Sequence, residues 1–200
     1  MLAKQSKYYT PEEYLALEEA ADYKSEYYQG EIFAMSGGSA NHNRIAGNLY
    51  LALREALEAR SCEVFITDMR LLVKKKGLYT YPNVMVVCSQ LEFVQGRSDT
   101  LSNPVVIVEV LSESTQAYDR GAKFELYRAI ETLQDYALID QGRAHVEYFH
   151  KLEDGRWLLT EFNELEAVLK LESLGVEIPL SRIYQRVEWE SRSPGVEPPG

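Results

Sequence analysis

The sequence has few cysteines and no long apolar run, and each absence narrows the class of protein. Cys62 and Cys88 are the two cysteines, both lie in apolar stretches, and no Cys-x-x-Cys pair occurs. This spacing argues against a structural zinc site or a disulfide framework, so we expect two buried free thiols. No apolar run approaches the roughly 20 residues that span a bilayer, and we therefore expect no membrane partner.

Basic residues are also scarce relative to acidic ones. The chain has 21 Lys and Arg against 31 Asp and Glu, a formal net charge of −10 at pH 7. This balance argues against a nonspecific nucleic-acid coat, which uses a basic surface, but not against a nuclease whose site holds a divalent cation among acids. The basic run at 74–76 fits a solvated hairpin tip better than a DNA clamp. The polar start of the chain lacks the apolar stretch of a secretory signal, so we expect a cytoplasmic protein.

Length and composition otherwise indicate one ordinary globular domain. The chain has 200 residues, 46% hydrophobic and 26% charged, which is enough to bury a substantial core. We predict a single domain over residues 1–190, followed by a Pro- and Gly-rich tail at 191–200 that is predicted to be disordered. The fold class that we expect is α/β.

Local signals place several elements. A capping box at Thr10 and Glu13 predicts a first helix that runs to about residue 21, and Gln29-Gly30 predicts a turn between two short strands. Ser39 is placed to cap a second helix whose apolar residues repeat every four positions, with His42 near its start. Further strands are predicted at 63–67, 70–74, 79–81, 84–88, 135–139, 144–151 and 157–161, and a helix at 117–130.

One acid stands inside an apolar strand, Val105-Val106-Ile107-Val108-Glu109-Val110-Leu111. Such a run is typical of a strand buried on both faces, so we expect it at the centre of the sheet with helices covering it. A carboxylate taken out of water costs several kcal/mol unless a partner or a metal ion compensates it. Glu109 is therefore the leading candidate for chemistry, although pairing with a buried Lys or Arg purely for structure is an alternative.

A second candidate lies on the helix that follows this strand. Lys123 begins the stretch Lys-Phe-Glu-Leu-Tyr, and a helix that returns over the sheet can point its ammonium group at the pocket of Glu109. Phosphodiester hydrolysis needs a cation, an activated water and a group that positions this water. Lys123 is a candidate for the third role, and a solvated helix residue is the alternative.

Seven short segments, in order, resemble one bacterial family. They are Tyr-Thr-Pro-Glu-Glu-Tyr at 9–14, Gly-Glu-Ile at 30–32 with Ser-Gly-Gly-Ser-Ala-Asn-His at 36–42, Asp-Met-Arg at 68–70, Tyr-Pro-Asn-Val at 81–84, Val-Glu-Val-Leu-Ser at 108–112, Asp-Arg-Gly-Ala-Lys-Phe at 119–124 and Leu-Gln-Asp-Tyr at 133–136. The chain from about 9 to 152 resembles the bacterial restriction endonuclease family, formerly a domain of unknown function, within the PD-(D/E)XK nuclease superfamily. The resemblance implies a restriction-endonuclease-like core, a mixed central sheet flanked by helices, Mg²⁺ or Mn²⁺, DNA as substrate and a homodimer.

The resemblance also assigns residues. Glu109 matches the metal-binding acid, and Lys123 looks like the migrated catalytic lysine, because the residue two positions after Glu109, where the family has its lysine, is Leu111 here. Independently of the resemblance, the backbone carbonyl of Val110 on the same strand can supply a further ligand to a cation. Glu26 matches an acid that lines the pocket, and His42 matches a histidine at the start of the second helix, although a capping or core role is equally open for it.

One position departs from the family pattern. Where the family has Pro-Asp, this chain has Pro82-Asn83, and an amide oxygen brings no negative charge to a hard cation. Either another acid such as Glu26 or Asp68 compensates, or the protein keeps the fold without the activity. The chain is therefore expected to be a metal-dependent DNA endonuclease impaired at Asn83. The alternatives are an inactive nuclease-fold binding or regulatory module, and hydrolysis of some other phosphate ester.

Overall fold

The computed structural model describes residues 7–189, and the predicted tail at 191–200 lies outside this range. Its longest helix spans Ala40–Ala56. The helices of the described part are α1 (Pro11–Ala20), α2 (Ala40–Ala56), α3 (Gln116–Tyr118), α4 (Phe124–Tyr127) and α5 (Leu180–Ile183), with a π-turn (Asp119–Lys123) between α3 and α4.

The strands form a six-stranded mixed sheet, a five-stranded sheet and a two-stranded hairpin. The strands are β1 (Ser25–Tyr28), β2 (Glu31–Ala34), β3 (Cys62–Ile66), β4 (Arg70–Val73), β5 (Leu78–Thr80), β6 (Val84–Cys88), β7 (Thr100–Leu101), β8 (Val106–Leu111), β9 (Asp135–Asp140), β10 (Val146–Lys151), β11 (Trp157–Phe162), β12 (Val168–Leu171) and β13 (Val176–Pro179). The six-stranded sheet has the order β11-β10-β9-β8-β6-β3, and β8 and β9 are its parallel pair. The expected α/β class with a mixed sheet is confirmed.

Both faces of the six-stranded sheet are covered, which explains the continuous apolar sequence of β8. On one face Val106, Val108 and Val110 pack with α2 and with the β12–β13 hairpin. On the other face Ile107 and Leu111 pack with the helical segment 116–127 and with strands of the five-stranded sheet. Every residue of β8 is buried, and the predicted central position of this strand is confirmed.

The local signals near the N-terminus form the predicted structures. Thr10 and Glu13 make both hydrogen bonds of the capping box. Gln29 and Gly30 form the turn between β1 and β2 with φ of 49° and 89°, a region that glycine adopts without strain. The hydroxyl of Ser39 accepts the backbone N–H of His42 and caps α2, whose apolar stripe packs on the sheet.

The predicted helix at 117–130 differs from the structure in two respects. Helical structure begins at Gln116 and ends at Tyr127, and the stretch from Asp119 to Lys123 is a π-turn. Such turns insert one extra residue into a helix and are frequent at functional sites. This one contains two of the buried charged residues of the chain, Asp119 and Lys123.

The expectation of two free thiols is wrong. Cys62 and Cys88 are joined by a disulfide with an S–S distance of 1.99 Å. The physical reason is tertiary, because antiparallel pairing of β3 with β6 places two residues that are 26 apart directly opposite each other. The absence of a local Cys-x-x-Cys motif therefore carried no information about this pair.

The C-terminal third adds elements that the sequence patterns do not predict. The β12–β13 hairpin and α5 bury Leu169, Leu171 and Ile178 against the sheet face that α2 also covers. Their short strands alternate buried and exposed residues, but each spans only four positions. Between residues 7 and 189, no helix is both long enough and apolar enough to cross a bilayer.

Candidate functional site

An open cavity of about 380 Å³ lies beside the C-terminal half of β8. Its walls come from the β1–β2 hairpin, the loop before α2, the residues just before β6, the end of β8 and the segment 112–123. Four of the side chains that line it are charged, namely Glu26, Glu109, Asp119 and Lys123. The chain thus brings together groups that are up to 97 positions apart in sequence.

Glu109 lies at the inner wall of this cavity and is 3% exposed. Strand alternation places its side chain on the face of Ile107 and Leu111, toward the helical segment. Its Oε1 accepts a hydrogen bond from the Tyr127 hydroxyl at 2.7 Å, and its Oε2 accepts the backbone N–H of Asn83 at 3.2 Å. These donors offset part of the cost of burying the carboxylate.

Lys123 lies among three carboxylates. Its Nζ is 3.0 Å from Oε1 of Glu109, 3.0 Å from Oε1 of Glu26 and 3.5 Å from Oδ1 of Asp119. All four residues are buried, and the Thr80 hydroxyl also donates to Glu26. One ammonium and three carboxylates leave an excess of negative charge when all four are ionised. We call these four residues the acid–lysine cluster.

Burial and mutual charge shift the pKa values of this cluster. Burial raises the pKa of Glu109 to about 7, while Lys123 lowers it, Asp119 raises it and the Tyr127 hydroxyl lowers it. Burial lowers the pKa of Lys123, but the charges of Glu109, Glu26 and Asp119 outweigh this effect and hold that pKa well above its ordinary value. At neutral pH Lys123 is therefore cationic, and Glu109 is close to the midpoint of its titration.

Asn83 lies where the pairing of β6 with β8 ends. The last paired residues are Val84 and Val108, and beyond them the Oδ1 of Asn83 accepts the backbone N–H of Val110 at 2.7 Å. The side chain thus extends the ladder by one hydrogen bond. The same oxygen has a second lone pair, which leaves it able to contact one further group.

His42 lies in the first turn of α2 and lines the same cavity as Asn83. Burial lowers the pKa of His42, and hydrogen bonds to the Asn83 side chain and the Val110 backbone, together with the charge of Asp119, act against this shift. A Cβ at Gly38 would come within 2.6 Å of the His42 Nδ1, so the loop before α2 approaches the ring closely. His42, Asn83 and Val110 thus belong to the lining of one cavity.

The residues predicted from the sequence converge on the cavity. The five side chains and one backbone group are Glu26, His42, Asn83, Glu109, Lys123 and Val110, and all of them line it. Asp68 does not join them, because its side chain is 84% exposed and pairs with Lys24. Asp119 is the site residue that sequence reasoning missed. In the sequence, Asp119 looks like an ordinary acid in the first turn of a helix. The one signal that could have identified it is its position four residues before Lys123, which places both side chains on one helix face.

The donor set fits a hydrated hard cation. Within residues 7–189 no three His, Cys, Asp or Glu side chains form a group that could hold a metal ion by themselves. Magnesium, however, needs only one or two carboxylates and keeps several waters. Glu109 and Asp119, the Val110 carbonyl and the Asn83 amide would supply oxygen ligands to such a cation, and the excess negative charge would favour a divalent one.

Two relatives show how far the sequence is shared. The uncharacterized protein sll1609 of Synechocystis sp. is 44% identical over 161 residues, which cover 80% of this chain and 91% of that protein. The uncharacterized protein slr1290 of the same organism is 37% identical over 176 residues, which cover 88% of this chain and 91% of that protein. Both relatives match across most of their own length and most of this chain.

A crystal structure and a family model define the relationship further. The structure is described as "a putative nuclease belonging to DUF820" from Anabaena variabilis, and it matches with a TM-score of 0.72 and 18% identity over 88% of this chain and 97% of that one. At this identity the match establishes the fold. The Uma2 family model, described as "Putative restriction endonuclease", matches residues 11–181. Together with the fold, this match confirms the resemblance, and the chain belongs to the Uma2 family.

Proposed function

We propose that this protein is a metal-dependent nuclease that hydrolyses phosphodiester bonds of DNA in the cavity described above. The observation that carries the proposal is the acid–lysine cluster, in which three buried carboxylates surround one ammonium at the wall of an open cavity. A purely structural ion pair needs one carboxylate per ammonium, and the excess of negative charge suits a divalent cation. Family membership supports the nuclease class.

Mg²⁺ or Mn²⁺, when bound, neutralises the nonbridging oxygens of the phosphate and lowers the pKa of a bound water. Glu109, Asp119 and the carbonyl of Val110 would hold this cation, with the amide oxygen of Asn83 as a weaker ligand. Because Asn83 carries no charge, Asp119 supplies the second carboxylate in this proposal. Asp68 cannot do so, since it points to solvent.

Lys123 orients the attacking water in this proposal. Its ammonium has three hydrogens to donate and is held in place by Glu109 and Glu26 at 3.0 Å each. Its pKa lies well above the ordinary value, so it stays protonated at neutral pH and acts as a donor and a positive charge, not as a general base. Glu26 is a positioning residue that fixes Lys123, and His42 positions Asn83 and the end of β8.

The test combines metal binding with cleavage. Isothermal calorimetry with Mn²⁺, and cleavage of plasmid and oligonucleotide DNA with Mg²⁺ or Mn²⁺, are measured for the natural protein, Glu109→Gln and Asn83→Asp, with Asp68→Asn as control. We expect Glu109→Gln to abolish cleavage and Asn83→Asp to strengthen Mn²⁺ binding about tenfold, because a charged oxygen binds a hard cation better. Absence of Mn²⁺ binding and of cleavage in both the natural protein and Asn83→Asp would overturn the proposal.

A second candidate function is a noncatalytic DNA-binding or regulatory module on the same fold. The observation that favours it is the neutral Asn83, whose oxygen is already engaged by the N–H of Val110. DNA binding that persists in EDTA, with no cleavage by Asn83→Asp, would favour this module over the nuclease. A salt titration separates a DNA partner from a protein partner, since phosphate contacts weaken steeply with salt.

We also propose that the protein is a homodimer, as the resemblance of the sequence implies. Sedimentation velocity across a range of protein concentrations tests this. A single monomeric species at every concentration would contradict it.

A further inference from the structure

The mouth of the cavity is aromatic. Four Tyr or Phe side chains line the cavity, and one of them, Tyr81, is buried. The other three come from two different walls: Tyr28 and Phe33 from the β1–β2 hairpin, and Tyr118 from the end of α3. Phe33 is 48% exposed and Tyr118 is 36% exposed. Exposed rings at the border of a cavity offer faces on which the flat part of a ligand can stack.

The hairpin connects this mouth to the buried charges. Glu26 and Phe33 are cross-strand partners, and Tyr28 follows Glu26 by two positions, so the three side chains share one face of the hairpin. On the other wall Tyr118 precedes Asp119, and the Nζ of Lys123 lies 5.8 Å from the centre of the Tyr118 ring. A phosphate at the acid–lysine cluster therefore places its attached nucleoside near these rings.

The surroundings do not suit a long DNA duplex. Among the described residues that line the cavity, Lys123 is the one Lys or Arg, and three carboxylates already engage it. The basic run at 74–76 lies elsewhere, and two of its lysines pair with Glu92 and Glu131. Specific duplex binding normally buries roughly 1,000–2,500 Å² of a strongly positive surface.

We infer that the site binds DNA that has an unpaired base, either in a single strand or at a strand end. This exposed base stacks on Phe33 and Tyr118. The inference rests on the proposed nuclease function and names its substrate class. A cavity of about 380 Å³ is in the range of pockets that enclose a small molecule and suits one extruded base. Stacking on aromatic rings binds single strands without a large basic surface and tolerates any base sequence.

Fluorescence anisotropy tests the inference with a labelled single strand, its blunt duplex, and the duplex carrying a single-stranded overhang. Titrations are run with Ca²⁺, a cation expected to support binding without turnover, and repeated in EDTA. The variants are Phe33→Ala and Tyr118→Ala, with Phe33→Tyr and Tyr118→Phe as conservative partners. Phe93→Ala serves as the matched control, because Phe93 is 40% exposed and lies outside the cavity.

The single strand and the overhang are expected to bind at least tenfold more tightly than the blunt duplex. Each alanine variant should weaken single-strand binding about 5- to 150-fold, the range measured for loss of one stacked base, while the conservative variants and Phe93→Ala stay within twofold. Equal or tighter duplex binding, or alanine variants that bind like the natural protein, would overturn the inference. If Mn²⁺ still binds in that case, the proposed nuclease function survives, whereas its own failure appears as loss of Mn²⁺ binding.

Discussion

Glu109 and Asp135 are both buried carboxylates on neighbouring parallel strands, yet their surroundings are opposite in kind. Glu109 is 3% exposed on β8, and Asp135 is 0% exposed at the start of β9. Asp135 pairs in register with Val106 and Glu109 with Leu138, so the two acids lie at different levels of the sheet. Alternation also points them to opposite faces, since the neighbours of Asp135 on its face are Ala137 and Ile139.

The carboxylate of Asp135 is surrounded by hydrogen-bond donors and by no second carboxylate. Its Oδ1 accepts the Tyr148 hydroxyl at 2.8 Å and lies 2.7 Å from Nδ1 of His150, and its Oδ2 accepts the backbone N–H of Ser173 at 3.1 Å and the Ser173 hydroxyl. These bonds tie the loop between β12 and β13 to the sheet. Asp135 is not among the residues that line the cavity beside β8, and we assign it a structural role.

The comparison shows that burial of an acid does not by itself indicate chemistry. Glu109 shares its lysine with Glu26 and Asp119 and borders a cavity, whereas each described contact of Asp135 is a donor that its two oxygens can accept. The distinguishing features are surplus negative charge and access to solvent. Both depend on neighbours that are remote in sequence.

Removal of the ammonium from the acid–lysine cluster should give the largest effect. We expect Lys123→Met to lower the free energy of unfolding by about 3–5 kcal/mol at pH 8 in EDTA, because three carboxylates remain buried without their cation. Mn²⁺ should restore part of this loss. Urea unfolding with and without Mn²⁺ measures it, with Lys74→Met as the exposed control; a loss that Mn²⁺ does not reduce would argue against a cation site.

The contribution of Glu109 to stability and to metal binding should depend on pH. The pKa of Glu109 is raised from 4.5 to about 7 in the folded state, so its contribution to stability is present below pH 4.5 and is lost as the pH rises through about 7. A cation must displace the proton from Glu109, so Mn²⁺ affinity should rise about tenfold per pH unit up to about pH 7 and then level off. Calorimetry from pH 5 to 8 checks this, and a flat profile would exclude Glu109 as a ligand.

Loss of the charge on Asp135 should affect stability and leave the metal site unchanged. Asp135→Asn replaces one acceptor oxygen by a donor that faces the donors of Ser173 or Tyr148, which should cost about 1–3 kcal/mol. The dissociation constant of Mn²⁺ should stay within twofold of that of the natural protein. Urea unfolding and calorimetry on the same sample give both values, and a large change in Mn²⁺ binding would erase the contrast with Glu109.

The smallest expected effect is the loss of Mn²⁺ affinity in Asp119→Asn, compared with Asp68→Asn. Asp119→Asn should weaken Mn²⁺ binding about tenfold, or about 1.4 kcal/mol, because it removes one charged ligand. It should also lower the pKa of Glu109, which Asp119 raises. Asp68→Asn is the matched control and should leave the affinity unchanged, since this side chain is exposed and paired with Lys24. Equal effects of the two variants would remove Asp119 from the site.

Much of the site was predictable because its signals are local. An ionisable residue in a run of Val and Ile is costly to bury, so Glu109 stands out in the sequence alone. The capping residues Thr10 and Ser39 and the fourfold spacing in α2 likewise act within one or two turns. Lys123 needed the additional assumption that its helix returns over the sheet, and the distance of 3.0 Å to Glu109 confirms it.

The remaining features depend on contacts between distant segments. Asp119 looks like any acid in a first helical turn, and the pairing of Cys62 with Cys88 follows from the register of β3 and β6. The four-residue strands β12 and β13 are too short for their alternation to be informative. Nothing in the sequence around Asp135 indicates that all of its partners in the fold are hydrogen-bond donors.

The sequence by itself determined the α/β class, the central strand of Glu109 and the helices that begin at Pro11 and Ala40, because periodicity and capping act over a few residues. Only the tertiary structure decided which charges meet around Lys123, which buried acid is structural, and that the cavity mouth is aromatic. The physical reason is that electrostatic and packing partners are selected by distance in space. Strand register and the path of the chain between elements set that distance.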